Sequence, residues 1–283
     1  MCLLLVVAFV TNTLTAGASE LQVEDTPESH LGLALDRRYD FDIAQVVHLI
    51  VRGSSGELRR TLEMASKRVD GQLLSVGKFV EPSYLRGTKL LMIENEDRNA
   101  DFFLYLRSQG RSRRISSAQR RDSFMGTDMS YEDFEQRTID DFSVEALGDS
   151  EVAGEVVYVF KATPTYDSSY DYTEYYVSKA DHAILESRHF VARHDGPSKI
   201  IRIPRDTIAT IQGHLIPTVI HVENSRTRTS TEVQLDKISV NPELDDRLFS
   251  ARTLENSHPI PHMKESAKTV EPKAPVKKRF EGS

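Results

Sequence analysis

The sequence predicts a mainly β protein that combines a large antiparallel sheet with very little helix. Between about residues 44 and 238, apolar residues alternate with polar ones or form short runs of strand length. Turns containing Gly, Pro or Ser separate these runs, as they separate the strands of hairpins. A helical spacing of apolar residues is clear at one place, ahead of the first run.

The composition is that of a globular protein and excludes some kinds of site. Of the 283 residues, 39% are hydrophobic and 28% are charged, which is enough to build a core. The formal net charge of −7 argues against a general nucleic-acid binder, because binding phosphates needs a cationic face. The one cysteine is Cys2, so neither an internal disulfide nor a multi-cysteine metal site is expected.

The first residues have the character of an export signal. Residues 2–10 (CLLLVVAFV) form a short apolar run, and residues 16–18 (AGA) supply a small-residue cleavage site. The run is too short for a transmembrane helix, so residues 1–18 are predicted to be a signal peptide cleaved after Ala18. At the other end, residues 256–283 are rich in Lys, Pro and Glu, and their low hydrophobicity predicts a disordered tail.

One helix is predicted after the signal. Leu31 and Leu35 have helical spacing, Pro27 and Glu28 precede them, and Arg37 follows. Acid near the start and base near the end of a helix complement its dipole.

The strands are predicted as a succession of hairpins. Gly, Pro or Ser turns bound most of them, such as residues 53–56 (GSSG) and 108–110 (SQG). The predicted strands cover residues 44–51, 57–68, 73–79, 89–93, 102–106, 155–162, 172–177, 184–192, 200–203, 207–211, 216–222 and 229–238.

Two of these strands depart from simple alternation. Residues 229–238 alternate cleanly, with Thr231, Val233 and Leu235 on one face, as in a half-buried antiparallel strand. Residues 102–106 (FFLYL) and 156–160 (VVYVF) are instead apolar on both faces. Such strands either lie centrally with both faces covered or border an apolar binding cavity, and the sequence leaves both interpretations open.

The central stretch RDSFMGTDMSYEDFE, residues 121–135, is rich in carboxylates, which are the ligands of a calcium loop. A calcium loop needs oxygen ligands at alternating positions, with a Gly at the sharp turn. Here Gly126 precedes the acids, and Met129 and Tyr131 stand at alternate positions. The spacing does not fit, and no metal is expected.

The same stretch fits the start of a helix better. With Ser130 as N-cap, Asp133 falls at the third helical position of a capping box, and Met129 and Phe134 form a hydrophobic staple. Carboxylates in the first turn also favour the positive end of the dipole. The acids are thereby explained by helix initiation, with Gly126 allowing a bend before the helix.

A basic run stands just before this stretch and consists of Arg111, Arg113, Arg114, Arg120 and Arg121. The simpler interpretation is a solvated hairpin face. The functional alternative is a site for an anionic group, because the guanidinium fork suits phosphates and carboxylates.

Signatures of catalysis and cofactor binding are absent from the sequence. It has no G-x-S-x-G elbow, no Walker loop, no G-x-G-x-x-G and no H-E-x-x-H. Neither an enzymatic activity nor a cofactor is expected, although a Ser–His–acid site assembled across strands is a third-ranked alternative.

Several motifs resemble the outer-membrane lipoprotein-sorting protein family, LolA-like. They are LYL at 104–106, RRI at 113–115, SFMGTDMSYEDF at 123–134, GHLIP at 213–217 and NPELDDRLF at 241–249. The resemblance extends to about Leu254, so it implies one LolA-like lipid-binding domain over residues 19–255. Arg107 stands where the family usually has Pro.

The resemblance implies a fold and a role. The fold would be a strongly curved antiparallel sheet forming an incomplete β-barrel, with a few helices covering its open side. The role would be that of a periplasmic carrier that holds acyl chains of lipoproteins or other lipids in an apolar cavity and moves them toward the outer membrane. Implied partners are a transporter of the resistance-nodulation-division (RND) type in the inner membrane and an outer-membrane acceptor. The alternative is a non-enzymatic accessory protein of such a transporter.

The resemblance also places candidate site residues. The helix starting at Ser130 would cover the mouth of the open barrel as a lid. The candidates for contact with an acyl chain are Phe124, Met125, Met129, Tyr131 and Phe134. Arg113 and Arg114 are candidates for contact with an anionic head group or a partner.

Overall fold

The computed structural model describes residues 25–37, 41–95, 100–192 and 194–255. The predicted signal peptide (1–18) and the predicted tail (256–283) lie outside the described residues. The described part contains one α-helix, α1 (Pro27–Asp36), and fifteen β-strands. None of its helices is long and apolar enough to cross a bilayer.

The strands follow one another as hairpins along most of the chain. They are β1 (Ile43–Gly53), β2 (Gly56–Val69), β3 (Gln72–Glu81), β4 (Lys89–Glu94), β5 (Ala100–Leu106), β6 (Arg111–Arg114), β7 (Phe142–Val152), β8 (Glu155–Pro164), β9 (Tyr172–Ser178), β10 (Ile184–Phe190), β11 (Lys199–Arg202), β12 (Ile208–Ile211), β13 (His214–Pro217), β14 (Val219–Asn224) and β15 (Thr229–Val240).

Thirteen strands form one antiparallel sheet that is not closed into a barrel. Their order is β6-β5-β4-β3-β2-β1-β15-β14-β11-β10-β9-β8-β7, so β6 and β7 are the two edges. The strands β12 and β13 pair with each other as a separate hairpin. This confirms the predicted mainly β, open antiparallel architecture.

Most predicted strands are present, and three strands differ from the prediction. The predicted strand 216–222 is divided between β13 and β14, because Thr218 donates its N–H to Thr207 O beside β12 but accepts from the Leu235 N–H of β15, so the chain changes its partner strand there. The strands β6 and β7 were not predicted: they are edge strands with mostly exposed side chains, so they carry no apolar alternation.

One face of the sheet, here called the inner face, carries the larger apolar cluster. In the register of the central strands, Leu49 of β1 lies opposite Val233 of β15, and Val233 lies opposite Ile220 of β14. Val47, Leu62, Phe79 and Phe102 extend the cluster toward β5. The predicted alternation of β15 is confirmed, since Thr231 and Val233 are buried on this face.

The segment between the two edge strands, residues 115–141, crosses the inner face and is here called the strap. Its contacts follow the order of the sheet: Ile115 N–H donates to Phe102 O of β5, and Phe124 packs against Phe79 of β3. Further along, the Asp128 N–H donates to Thr231 Oγ1 of β15, 2.9 Å away. The strap then reaches the helix, where Gly32 of α1 contacts Ile139.

Most apolar side chains on both faces of the two doubly apolar strands are covered by the chain itself, the exception being Val156, which is 53% exposed. Phe102 and Leu104 of β5 lie under the strap, while Phe103 packs on the outer face against the C-terminal stretch that includes Leu248 and Leu254. In β8, Phe160 packs with Leu31 and Leu35 of α1, and Val157 and Val159 belong to a cluster that includes Ile208 of the β12–β13 hairpin. The covering elements are mainly irregular segments, whereas the sequence predicted a few helices.

Candidate functional site

The strap brings the predicted lipid-contacting residues together in the inner-face cluster. Phe124 and Tyr131 are buried, with 2% and 6% of their surfaces exposed. Met125, Met129 and Phe134 are partly buried and pack against the same cluster. Phe124 meets Tyr131 and Phe134 edge-to-face, at centroid distances of 5.6 and 4.8 Å.

The predicted helix at Ser130 is reduced to one 3₁₀ turn, Glu132–Phe134. Half of the predicted capping box forms, because the Ser130 N–H donates to Asp133 Oδ2 at 2.6 Å. The other half does not form, since the Asp133 N–H donates to Ser130 O and Ser130 Oγ is buried without a partner among the described residues. The Asp133 carboxylate also binds side chains of other elements. Helix initiation therefore accounts for the Ser130–Asp133 contact but not for the other contacts of the acids in this stretch.

Asp133 is the centre of a buried polar cluster. Its carboxylate forms an ion pair with Lys199 of β11, and each of the two side chains is 8% exposed. The hydroxyl of Tyr170 donates to Asp133 Oδ1 at 2.8 Å, and Lys199 Nζ donates to that hydroxyl at 2.6 Å. Burial alone would raise the pKa of Asp133, but Lys199, His189 and the Ser130 N–H outweigh it and hold this pKa below its ordinary value.

The other carboxylates of the strap bind separate partners. Asp128 Oδ2 accepts from Thr231 Oγ1 at 2.7 Å, and its Oδ1 accepts from Thr229 Oγ1. Glu132 accepts from the Ser168 hydroxyl at 2.7 Å and from the Ser169 N–H at 3.0 Å. Each acid ties the strap to a different part of the sheet or its loops.

Glu135 is a further buried acid of the strap, and it accepts from the Ala100 N–H of β5 at 3.4 Å. Its carboxylate is fully buried between two arginines of the strap itself, Arg120 and Arg137, whose side chains are 14% and 9% exposed. Arg120 Nε donates to Glu135 Oε1 at 2.8 Å. Arg120 of the basic run therefore forms a buried ion pair within the strap.

The four acids do not converge on a common point. Within the described part of the chain, no group of three or more His, Cys, Asp or Glu side chains could hold a metal ion. The geometry of the strap is that of a segment tethered by polar side chains at several points over an apolar surface.

The two arginines predicted to bind an anionic group lie at the edge of the sheet, where Arg113 pairs with Leu104 of the inner-face cluster. Arg113 and Arg114 are exposed on the edge strand β6. Arg114 forms an ion pair with Asp101, and Arg113 Nη1 lies 3.4 Å from Gln119 Oε1. This agrees with the interpretation of a solvated hairpin face for these two residues.

Sequence reasoning missed Lys199 and Tyr170, which hold the strap from the sheet side. Lys199 occupies an inward position of β11, two residues before Ile201, and a charge among inward apolar positions is the signal that could have found it. Tyr170 lies in the connection between β8 and β9. Its role depends on a contact with a residue 37 positions away in sequence.

A surface depression of about 520 Å³ lies at one end of the central strands. It is lined mainly by polar residues: Arg52, Gly53, Ile200, Glu223, Asn224, Ser225, Arg228, Thr229 and Ser230. This lining does not suit an acyl chain, so the depression is not the apolar cavity that the family resemblance implied.

Comparison with known proteins places this geometry in a family. A family model described as an uncharacterized protein matches residues 71–256. The chain belongs to this family, and its fold is LolA-like. No curated protein matches the sequence.

Three solved structures share the LolA-like fold. An outer membrane lipoprotein-sorting protein domain from Vibrio parahaemolyticus is 23% identical, with a TM-score of 0.74, covering 82% of this chain and 100% of that one. A DUF1329 family protein from Desulfovibrio piger is also 23% identical, with a TM-score of 0.74 and coverages of 81% and 98%. A LolA superfamily protein from Nitrosomonas europaea is 18% identical, with a TM-score of 0.63 and coverages of 80% and 97%.

Within this LolA-like fold, the inner face and the strap are the candidate functional site. The strap contributes apolar side chains to the cluster without belonging to the sheet, so its displacement would expose an apolar surface while leaving the strands paired.

Proposed function

We propose that this LolA-like protein is a non-enzymatic carrier that binds acyl chains of lipoproteins or other lipids on its inner face, beneath the strap. The observation that carries the proposal is the strap itself: irregular in structure, apolar toward the sheet and tethered by polar side chains. The proposal includes a periplasmic location and movement of the cargo toward the outer membrane, which the similarity to an outer membrane lipoprotein-sorting protein domain supports.

The physical chemistry of lipids makes such a carrier useful. Each buried methylene contributes about 0.8 kcal/mol, so moving a chain of about sixteen carbons into water costs on the order of 12 kcal/mol. The protein lowers that barrier if the acyl chain exchanges its contacts with the membrane for contacts with Met125, Met129 and Phe134. Methionine suits this role because its flexible side chain adapts to different shapes.

Lipid binding to the delipidated full chain tests the proposal. We expect it to take up a fluorescent fatty-acyl probe, and native mass spectrometry of the purified protein to show bound lipid. The variant Phe124→Ser removes the central aromatic side chain of the cluster. It should take up less of the fluorescent probe than the wild-type protein. Repeated absence of both probe uptake and co-purified lipid would contradict the proposal.

A second candidate is an accessory protein of an RND-type envelope transporter. The observation that favours it is that Phe124 and Tyr131 already occupy the inner face. In that case the purified protein takes up no acyl probe, and cross-linking in cells captures the transporter. Probe uptake that depends on Phe124 distinguishes the carrier from this alternative.

A hydrolase is the third candidate, and the described residues do not favour it. Ser187 Oγ lies 3.2 Å from His189 Nε2, and His189 Nδ1 lies 3.1 Å from the hydroxyl of Thr173. The three side chains are buried within the sheet. A Ser–His pair without access for substrate lacks the arrangement of a catalytic site.

A further inference from the structure

Arg60 is a charged residue at an inward position of β2. It lies opposite Leu49 of β1 and two residues before Leu62, which both belong to the inner-face cluster. Only 7% of its surface is exposed, and it is the first buried residue after the exposed stretch 56–59. Arg60 therefore stands at the boundary between the open end of the β1–β2 hairpin and the apolar inner face.

The guanidinium of Arg60 has unused hydrogen-bonding capacity. Its Nε and Nη1 are buried and have no hydrogen-bond partner among the described residues. The strap passes next to it, since a Cβ placed on Gly126 would lie 3.4 Å from Arg60 Nη2. The neighbouring strap carboxylate, Asp128, accepts instead from Thr229 and Thr231.

A buried charge without a partner is unfavourable, and proteins keep such groups paired. A guanidinium presents a planar fork of donors that matches a carboxylate or a phosphate. Anionic ligand oxygens on the Nε–Nη2 and Nη1–Nη2 edges of the guanidinium would satisfy both donors. Leu49 opposite Arg60, and Leu62 and Phe79 beyond it, belong to the inner-face cluster and offer an apolar surface.

We propose that Arg60 binds the anionic head group, a carboxylate or a phosphate, of a lipid whose acyl chain lies along the inner face. This inference rests on the proposed carrier function and names the class of its cargo: single-chain or phospholipid-type amphiphiles with a negative head. The head group enters from the exposed end of the β1–β2 hairpin, and the chain displaces the strap side chains beyond it.

Two pairs of probes test the head-group preference on the delipidated full chain. Palmitate is compared with hexadecanol, which has the same chain and a neutral head, and palmitoyl-lysophosphatidate is compared with 1-palmitoylglycerol. We expect the wild-type protein to bind at least one anionic probe about tenfold more tightly than its neutral counterpart. The pair that shows the difference identifies the head group as carboxylate or phosphate.

Arg60→Met tests the residue. It should lower the affinity for the preferred anionic probe about tenfold and leave the neutral probes unchanged. Without ligand it should melt at the same temperature as the wild type or higher, because it removes an unpaired buried charge. Arg59→Met is the matched control, since the neighbouring Arg59 side chain is 68% exposed and should affect neither probe. Arg60→Lys keeps the charge without the fork and provides the test if Arg60→Met does not fold.

The outcomes separate this inference from the carrier function. If anionic and neutral probes bind equally well and Arg60→Met changes neither, the head-group site is wrong and the carrier function stands. If Arg60→Met melts at a lower temperature and loses both kinds of probe together, Arg60 is structural and the inference is also wrong. If none of the four probes binds the wild-type protein, the carrier function itself fails.

Discussion

The side chains of Asp133 and Lys199 form an ion pair that joins the strap to β11, with both partners almost fully buried. Tyr170 adds hydrogen bonds to each of them. Burying two charges is costly, and the hydrogen bonds offset that cost. A pair of this kind fixes where the strap lies more than it adds to the free energy of unfolding.

Removing one partner of this pair should be strongly destabilising. Asp133→Asn leaves the Lys199 ammonium buried without its counter-charge, so we expect the free energy of unfolding to fall by about 3–5 kcal/mol. The double variant Asp133→Leu/Lys199→Met should be much less affected, because no charge is left unpaired. Urea unfolding followed by circular dichroism measures both, and equal losses in the two variants would contradict this account.

The same pair predicts a response to acid. The pKa of Asp133 is below its ordinary value in the folded protein, so its stabilising contribution is present above about pH 4 and is lost as the pH falls through the lowered pKa. Unfolding measured between about pH 5 and 2 should show a steeper loss of stability in the wild type than in Asp133→Asn. Parallel curves would show that the ion pair does not contribute in this way.

Phe134 tests the apolar side of the strap. Its ring meets Phe124 edge-to-face and is partly buried in the inner-face cluster. Phe134→Asp places a carboxylate there, so we expect loss of about 2–4 kcal/mol of stability and weaker uptake of the acyl probe. Phe134→Leu keeps an apolar side chain and should retain most of both. Undiminished uptake and stability in Phe134→Asp would remove Phe134 from the site.

At the scale of elements, α1 is attached to the sheet by a stack of aromatic rings. His30 stacks on Tyr158 of β8 at 4.5 Å and on His182 of the β9–β10 turn at 5.2 Å. His30 Nδ1 lies 2.9 Å from His182 Nε2, a distance that requires at least one of these nitrogens to be unprotonated. The attachment of α1 is therefore sensitive to protonation.

Protonation of His182, whose pKa is lowered in the folded protein, should weaken this attachment in mild acid. Burial is the largest cause that lowers the pKa of His182. The charges of His30 and Arg37 lower this pKa further, and only Asp181 acts to raise it. Since the folded pKa lies below the unfolded value of about 6.5, the stability that neutral His182 preserves is lost as the pH falls below that value. The other charged groups nearby are Asp25, which contacts His30, and Lys179, which lies over the Tyr158 ring.

His182→Asn checks this pH dependence. Asparagine tolerates the left-handed backbone at this position, where φ is 59°, so the turn should be preserved. Melting temperatures between about pH 7.5 and 5 should fall less in the variant than in the wild type. An identical fall in both proteins would show that the pair of histidines has no role in it.

The elements that the sequence predicted well share one physical property. The helix α1 and strands such as β2 and β15 have one buried and one solvated face. Their apolar and polar residues therefore recur with the period of a helix or a strand. The strand β7 lies at an exposed edge, and the strap is irregular, so neither shows a periodicity. The helix expected at Ser130 had local capping signals, and it is present only as one 3₁₀ turn whose Asp133 also contacts Lys199 and Tyr170.

At the scale of the whole molecule, the strap closes the inner face of an open sheet. The strands stay joined through twelve neighbouring pairings in one sheet, whereas the strap is held mainly by side chains. Displacing the strap therefore breaks fewer backbone hydrogen bonds than opening the sheet. The proposed carrier opens by movement of the strap while the sheet stays intact.

Locking the strap should block uptake of lipid. Asp128 and Thr231 contact each other through both backbone and side chain, so an Asp128→Cys/Thr231→Cys pair is suited to form a disulfide. The oxidised variant should take up at least tenfold less acyl probe than its reduced form. The reduced form is the control, because it lacks both the disulfide and the side-chain hydrogen bond between Asp128 and Thr231. Equal uptake in both redox forms would show that the strap does not need to move.

The sequence by itself determined the mainly β class, the positions of α1 and most strands, and the apolar character of Phe124, Met125, Met129, Tyr131 and Phe134. These follow from local periodicity and turn residues, which each segment carries within itself. Only the tertiary structure decided that the strap lies on the inner face, that its acids are tethers, and that Arg60 Nε and Nη1 are buried without a hydrogen-bond partner among the described residues. Those features depend on contacts between residues far apart in sequence, such as Asp128 with Thr231 and Asp133 with Lys199, and a local pattern does not contain them.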